Sequence, residues 1–262
     1  MKLDKMKKKL LLHPLKKELF ETRIKYIQAI AFFIAIDDNI SDEEQKSYLE
    51  LVEILECKDL QDDLLEFLHN TDEEEPEKVF DIFENHTQLL YFYLSEIAYR
   101  ASQDGLNKDE KEFLEFIEER YSLQSERVEA LFDYIHALTK DDMQLKIKSA
   151  FKLISHKDLV SKIEPFLECY KLDKPDKFIT IDELQHGKKS LKDMDAHLRD
   201  DKDIVLEAVK QNGWVLYYAS QRLKDDKDII LEAVKQDYLA LEYASERLQN
   251  DSDILALLHD ED

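Results

Sequence analysis

LRDDKDIVLEAVKQNGWVLYYASQR (residues 198–222) runs without a gap into LKDDKDIILEAVKQDYLALEYASER (residues 223–247), and 17 of the 25 positions are identical. A third copy opens at Leu248 with LQNDSDILALL. A fixed period of this length is the mark of a stacked array, in which each unit buries its apolar face only against its neighbours. The punctuation within a copy is explicit. Asp200 and Asp201 stand where they cap a first helix, DIVLEAVK, and Asn212-Gly213 ends it. Glycine there predicts a left-handed closing residue, followed by a second helix over VLYYASQR. The next copy has Asp237-Tyr238 in place of Asn-Gly. Tyrosine adopts the left-handed conformation poorly, so the sequence predicts a different turn there.

The two copies also divide their positions by role. Ile204, Leu206, Ala208, Val209, Leu216, Tyr218 and Ala219 recur 25 residues on and are expected to form the stacking core. Gly213/Tyr238, Trp214/Leu239, Val215/Ala240 and Tyr217/Glu242 diverge around the inter-helix turn. Divergent positions of a solenoid commonly form its recognition face. Trp214, Tyr217, Tyr238 and Glu242 are therefore the expected partner-binding residues. The alternative for Trp214 is that it fills the groove to the preceding, weaker unit.

Outward from the repeats, the chain reads as all-α throughout. It has only 3 glycines and 4 prolines in 262 residues, too few for the turns of a sheet protein. Residues 1–14 form a basic segment, residues 15–140 a helical bundle and residues 141–172 a connecting helical pair interrupted near Pro165. YKLDKPDKF reads as a linker, and residues 173–262 form the array of short helix-pair repeats, with a degenerate first unit at FITIDELQHGKKSL.

The bundle contains an internal echo. YIQAIAFFIAI-DDNISDEE-QKSYLELVEIL, from Tyr26 to Leu55, is answered by YFYLSEIAYRA-SQDGLNKDE-KEFLEFIEERY, from Tyr91 to Tyr121. Each is an apolar helix, an acidic turn and an amphipathic helix. Ser41 and Asn107 stand at N-cap positions, with carboxylates in the following turn. Helix capping accounts for those carboxylates. If the halves pack about a pseudo-twofold, the turns also approach one another and offer oxygen ligands to a hard divalent cation.

Asp37-Asp38-Asn39-Ile40-Ser41-x-x-Glu44, echoed by Asp104-Gly105-Leu106-Asn107-x-x-Glu110, resembles the tellurite-resistance TerB-like helical family. That family, which includes domains of some membrane-tethered DnaJ-like proteins, carries a D-G-x-[IV]-[ST]-x-x-E turn with acidic metal-binding positions. The resemblance spans about residues 15–140. It implies a divalent cation held by Asp37, Glu44, Asp104 and Glu110, and a role in stress response. Asp38 stands where the family has glycine, and Glu110 follows Asp104 by six residues where the family has seven. The C-terminal part resembles the repeats called domain of unknown function 4116, through LEAVKQNG and L-x-YAS; that likeness implies no activity.

Charge and motif content narrow the function. Net charge is −23, yet residues 1–25 hold nine Lys/Arg against three acids. The acidic remainder would repel a phosphate backbone, so nucleic acid is not an expected partner. The basic segment either packs on the acidic body or stays frayed, or it makes a peripheral contact with anionic lipid. Neither a phosphate-cradling glycine loop nor an H-E-x-x-H or G-x-S-x-G motif occurs, and the eight histidines are scattered, so an enzyme is not expected. Cys57 and Cys169 are isolated and read as buried thiols of a reducing compartment. No apolar run reaches the ~20 residues of a membrane span, and the N-terminus lacks the apolar stretch of a secretion signal. The sequence therefore predicts a cytoplasmic, non-enzymatic module that docks a partner protein, with a cation-binding stress-response protein as the alternative.

Overall fold

The computed structural model of the chain describes residues 13–36, 40–71, 75–84, 86–102, 105–156 and 158–259. Every regular element among them is helical. The chain divides into two compact units, Met1–Pro175 and Asp176–Asp262.

In the first unit, α1 (Phe20–Ile34) and α5 (Thr87–Ala101) are apolar on nearly every side. A helix of that kind must be surrounded. Around α1 stand α2 (Asp42–Ile54), α3 (Gln61–His69) and the short α4 (Pro76–Phe80), with Pro76 at the first helical position. α6 (Lys108–Arg120) joins them through Phe113, whose ring lies 6.1 Å from Phe33 and 5.8 Å from Phe80. Around α5 stand α7 (Ser125–Thr139) and α9 (Leu159–Tyr170), with α8 (Met143–Ser155) against both.

Residues 141–172 are thus part of the body of this unit rather than a connection. Their apolar faces (Ile147, Ala150 and Leu153; Ile163, Phe166 and Leu167) are buried. Nor does Pro165 interrupt the second of these helices, for α9 runs through it. A proline inside a helix costs ~3 kcal/mol. Burying Ile163, Phe166, Leu167 and Tyr170 outweighs that cost at ~1.5–3 kcal/mol per large side chain.

Among the described residues, the interior of this unit holds one carboxylate. Glu96, on α5, is 1% exposed. It accepts hydrogen bonds from the Tyr26 hydroxyl at 2.5 Å and the Tyr170 hydroxyl at 2.6 Å, and His13 Nε2 lies 3.5 Å away. Burial works to raise the Glu96 pKa. The contact with His13, the charge of Arg100 and the Tyr170 hydroxyl outweigh burial and hold it below the ordinary carboxylate value. Burial, then the neighbouring Glu96 charge, push the Tyr26 and Tyr170 hydroxyls well above theirs. A buried charge survives only when donors surround it. Glu96 has them in Tyr26 of α1 and Tyr170 of α9, with His13 close by in the segment before α1. Cys57 and Cys169 are free and buried, and burial raises the Cys169 thiol to about 12.

The second unit is the array. Its long helices are α10 (Pro175–Gln185), α11 (Lys202–Gln211) and α12 (Lys227–Gln236), and it closes with α13 (Glu246–Gln249) and α14 (Ser252–His259). The expected second helix of each repeat is instead a six-residue 3₁₀ helix, Gly213–Tyr218 or Tyr238–Tyr243. It stops because the chain turns extended at Ala219 and Ala244. From there Ser220 N bonds Arg199 O at 3.0 Å, and Ser245 N bonds Lys224 O at 2.9 Å. The backbone is drawn out of the helix to pair with the preceding turn.

The expectations for the inter-helix turn are also corrected. Asn212 (φ −159°, ψ 111°) and Asp237 (φ −157°, ψ 115°) are both extended and share one conformation. Each side chain accepts the N–H two residues on, Trp214 at 3.0 Å and Leu239 at 2.9 Å. Asn and Asp favour this local bond. It fixes the turn in both copies without a left-handed residue, so Tyr238 is unstrained. Gly213 is required for a different reason. A Cβ built on it would lie 2.5 Å from the carbonyl oxygen of Ala233 on α12.

Most of the expected stacking core is buried, including Ile204, Ala208, Val209, Leu216 and Ala219. Leu206/Leu231 and Tyr218/Tyr243 are only half-buried, and Val205 and Ile230 are buried in addition.

Candidate functional site

The array presents its surface through a polar framework that repeats with the same period as the apolar core. Asp201, Asp226 and Asp251 each cap the helix that follows, accepting the N–H groups two and three residues on. Lys177 lies 3.1 Å from Asp201 and 2.7 Å from Asp203. Lys202 lies 2.8 Å from both Asp226 and Asp228, and Lys227 lies 2.9 Å from Asp251 and 2.6 Å from Asp253. Each lysine therefore ties its own helix start to the cap of the next.

A second ladder joins successive turns. Ser220 and Arg222 both bond Asp200, and Ser245 and Arg247 both bond Asp225. The serine hydroxyl and the arginine hold the carboxyls of Asp200 and Asp225 below the ordinary aspartate value. These bonds explain why D-D-K-D and the Ser and Arg of the turn recur in both copies, although none of them packs in the core.

On this frame stand the aromatics. Trp214, Tyr217, Tyr238 and Leu239 are 41%, 57%, 61% and 38% exposed. Trp214 does not fill a groove to the preceding unit. Its indole N–H donates to Asp237, and its ring lies 5.4 Å from Tyr243, both in the following repeat. Tyr217 lies 5.4 Å from the same Tyr243 ring and 5.0 Å from Tyr218. The Lys224 ammonium sits 5.4 Å over the Tyr217 ring and donates to the Tyr217 carbonyl at 2.7 Å. Burial there lowers the Lys224 pKa.

Two of the sequence-derived positions, Trp214 and Tyr217, are thus brought together, with Tyr243 between them. Tyr243 is identical in both copies, which put it with the core; only its partial exposure reveals it as the centre of the cluster. Tyr238 and Glu242 are exposed in the following copy, and no ring contact joins Tyr238 to the other three. Asp237 has two uses. One oxygen caps the 3₁₀ helix and the other accepts the indole, so the tryptophan is held in place before any partner arrives.

The acidic turns of the first unit have a different geometry. Ser41 Oγ accepts from Glu44 N at 3.2 Å, while the Glu44 carboxylate accepts from Ser41 N at 2.9 Å. Asn107 and Glu110 repeat the arrangement at 2.9 and 2.8 Å. Both are complete capping boxes. Glu44 and Glu110 are thus engaged by their own helix starts. Asp37 and Asp104 lie outside the described residues. Among the described residues no group of three or more His, Cys, Asp or Glu side chains is placed to hold a metal ion. Nor is any described helix long and apolar enough to cross a membrane.

A family model described as domain of unknown function (DUF4116) matches residues 184–224 and 226–255. The match lies wholly within the second unit. Neither a curated protein nor a solved structure matches the chain.

Proposed function

We propose that the protein is a non-enzymatic interaction module whose array docks a partner protein through the aromatic cluster. The observation that carries this reading is the exposure of Trp214, Tyr217 and Tyr238 on a unit whose core is already filled by Phe178 and by aliphatic side chains. Large aromatics that stacking does not need supply binding energy at ~2 kcal/mol or more each when a partner covers them. The indole bond to Asp237 lowers the entropy lost on docking, because the ring is fixed beforehand.

Paired affinity captures with the full chain and its Trp214→Ala variant test this. A partner recovered by the wild type should bind the variant ~30-fold more weakly in titration, the equivalent of ~2 kcal/mol. Identical affinity for both proteins, with the variant still folded, refutes the assignment.

The basic N-terminal segment adds a separate contact, a peripheral one with an anionic membrane surface. The division of charge between residues 1–25 and the acidic remainder supports it.

A further inference from the structure

The 3₁₀ segments of the array form a row. Leu191–Asp193, Gly213–Tyr218 and Tyr238–Tyr243 pack side by side in that order. The 25-residue period carries Leu191-Lys192-Asp193 onto Leu216-Tyr217-Tyr218 and then onto Leu241-Glu242-Tyr243. The rung from Lys177 to Asp201 and Asp203 keeps the first unit in the same register. Leu191 and Leu216 are buried, while the next position, Lys192, Tyr217 or Glu242, is exposed in all three segments. One column of the surface therefore changes from basic through aromatic to acidic, one step per repeat. Lys188 and Lys189, 25 residues before Gly213 and Trp214, are exposed as well, with Lys189 2.6 Å from Glu183. Asp193 takes the place of Tyr218, one position along from the column. Among the described residues, no carboxylate pairs with the Lys192 ammonium and no cation pairs with the Glu242 carboxylate. Arg247, the next cation in sequence after Glu242, is tied to Asp225 at 3.0 Å. Lys224 serves its own segment, since it donates to the Tyr217 carbonyl just as its counterpart Gln249 donates to the Glu242 carbonyl at 3.1 Å.

We infer that the aromatic face receives an extended partner segment with a carboxylate side chain over Lys192, apolar side chains over Trp214 and Tyr217, and a basic side chain over Glu242. This rests on the reading of the aromatic cluster as a docking face and names the chemistry of what covers it. Charge complementarity selects the occupant. A wholly acidic or wholly basic segment satisfies one end of the column and meets its own sign at the other, which specificity uses as a rejection. A segment of mixed charge satisfies both. Packed helical segments stand ~8–10 Å apart, so Lys192 and Glu242, two steps apart, are separated by on the order of 20 Å. An extended chain rises ~3.3 Å per residue and covers that span with about six residues. Alternate side chains of such a chain point the same way, so its first, third, fifth and seventh residues face the array together. A helix needs roughly 13 residues for the same span.

The test uses the full chain and seven-residue peptides blocked at both ends, too short to hold a helix. The probe is Asp-Ser-Leu-Ser-Leu-Ser-Lys, compared with the same peptide carrying Asp at both ends and with Lys at both ends. Titration calorimetry should find the mixed peptide about fivefold or more tighter than either like-charged one, an advantage that shrinks in high salt. Glu242→Lys should move the preference to the doubly acidic peptide and Lys192→Glu to the doubly basic one. Both positions are exposed, so neither change disturbs the core. Trp214 is the chain's one tryptophan, and its fluorescence should change as the mixed peptide binds. Equal affinity for the three peptides, or preferences unmoved by the two substitutions, overturns the charge register and leaves the aromatic docking face standing. Failure of the mixed peptide to bind at millimolar concentration overturns the inference in the same way. Binding of the mixed peptide that Trp214→Ala does not weaken overturns both.

Discussion

Gly213→Ala is the most direct probe of how the repeats stack. The new Cβ would stand 2.5 Å from the Ala233 carbonyl oxygen, 3.3 Å from its carbon and 3.4 Å from the Asp237 nitrogen. Ordinary contact begins near 3.4 Å, so the nearest pair is short by about 0.9 Å. All three atoms are backbone and none can rotate away. Relief requires α12 to move off the preceding turn, which also disturbs the Asp237 bonds to Trp214 and Leu239. Overpacking of this kind costs ~1–3 kcal/mol. Against that, replacing glycine with alanine reduces unfolded-chain entropy and returns ~0.4–1 kcal/mol. The net expectation is a destabilisation of about 1–2 kcal/mol. For a unit of this size that lowers the melting midpoint by ~4–8 °C per kcal/mol. Scanning calorimetry of the full chain should show the shift, with hydrogen exchange locating it to α12. Tyr238→Ala is the control, since that side chain is exposed in the same register and should leave the midpoint within a degree or so. A Gly213→Ala protein as stable as the wild type would refute the close approach and leave the glycine a mere spacer.

Lys202→Met removes one rung of the lysine ladder and should cost ~0.5–1 kcal/mol, because the pair is partly exposed; the loss should shrink in high salt. Acid should weaken the array by the same route. The folded pKa values of Asp225, Asp226 and Asp251 are depressed: Ser245 and Arg247 act on Asp225 and Lys227 on Asp251, while at Asp226 burial opposes the shift and the Lys202 pairing outweighs it. Their stabilisation is present above the unfolded aspartate value near ~3.9 and is lost as pH falls through the folded values. A urea midpoint flat from neutral pH down to about pH 2 would contradict this. Ser41→Ala and Asn107→Ala should each lower stability by ~1 kcal/mol, the ordinary worth of an N-cap. Millimolar Ca²⁺ or Mg²⁺ should leave the wild-type melt unchanged if Glu44 and Glu110 serve only those caps, whereas a rise in the midpoint would restore the cation reading of the turns.

The all-helical architecture was legible because this chain states it locally. Hydrophobic spacing, the Ser41 and Asn107 caps and Pro76 each act within a few residues, and each stands where its chemistry placed it. The array was legible because it is written twice. What failed was inference from one residue type to one conformation. Gly213 suggested a left-handed turn, yet Asn212 is extended and its side chain caps the 3₁₀ helix that follows, while the glycine answers a carbonyl twenty residues on. Pro165 suggested a break, yet the buried side chains around it hold the helix. In both cases a contact from a distant segment outweighed the local preference, and no window of sequence contains that contact.

The comparison of copies has a similar limit. It sorts positions into shared and divergent, and equates shared with core. Lys202/Lys227, Asp200/Asp225 and Ser220/Ser245 are shared because they join one repeat to the next across the surface, and Tyr243 is shared while standing between Trp214 and Tyr217. Identity between copies reports that a side chain meets the same neighbour each time, and that neighbour is an ion-pair partner at the surface as readily as a leucine inside. Divergence reports the converse, a side chain whose surroundings the stack does not dictate. Trp214 belongs to that second class even though it is bonded: in the next copy Leu239 takes its place without any change in the turn. The stack is therefore complete without the indole, and the indole's bond to Asp237 fixes its direction rather than the fold. This separates Trp214→Ala, expected to spare the melt, from Gly213→Ala next to it, expected to lower it.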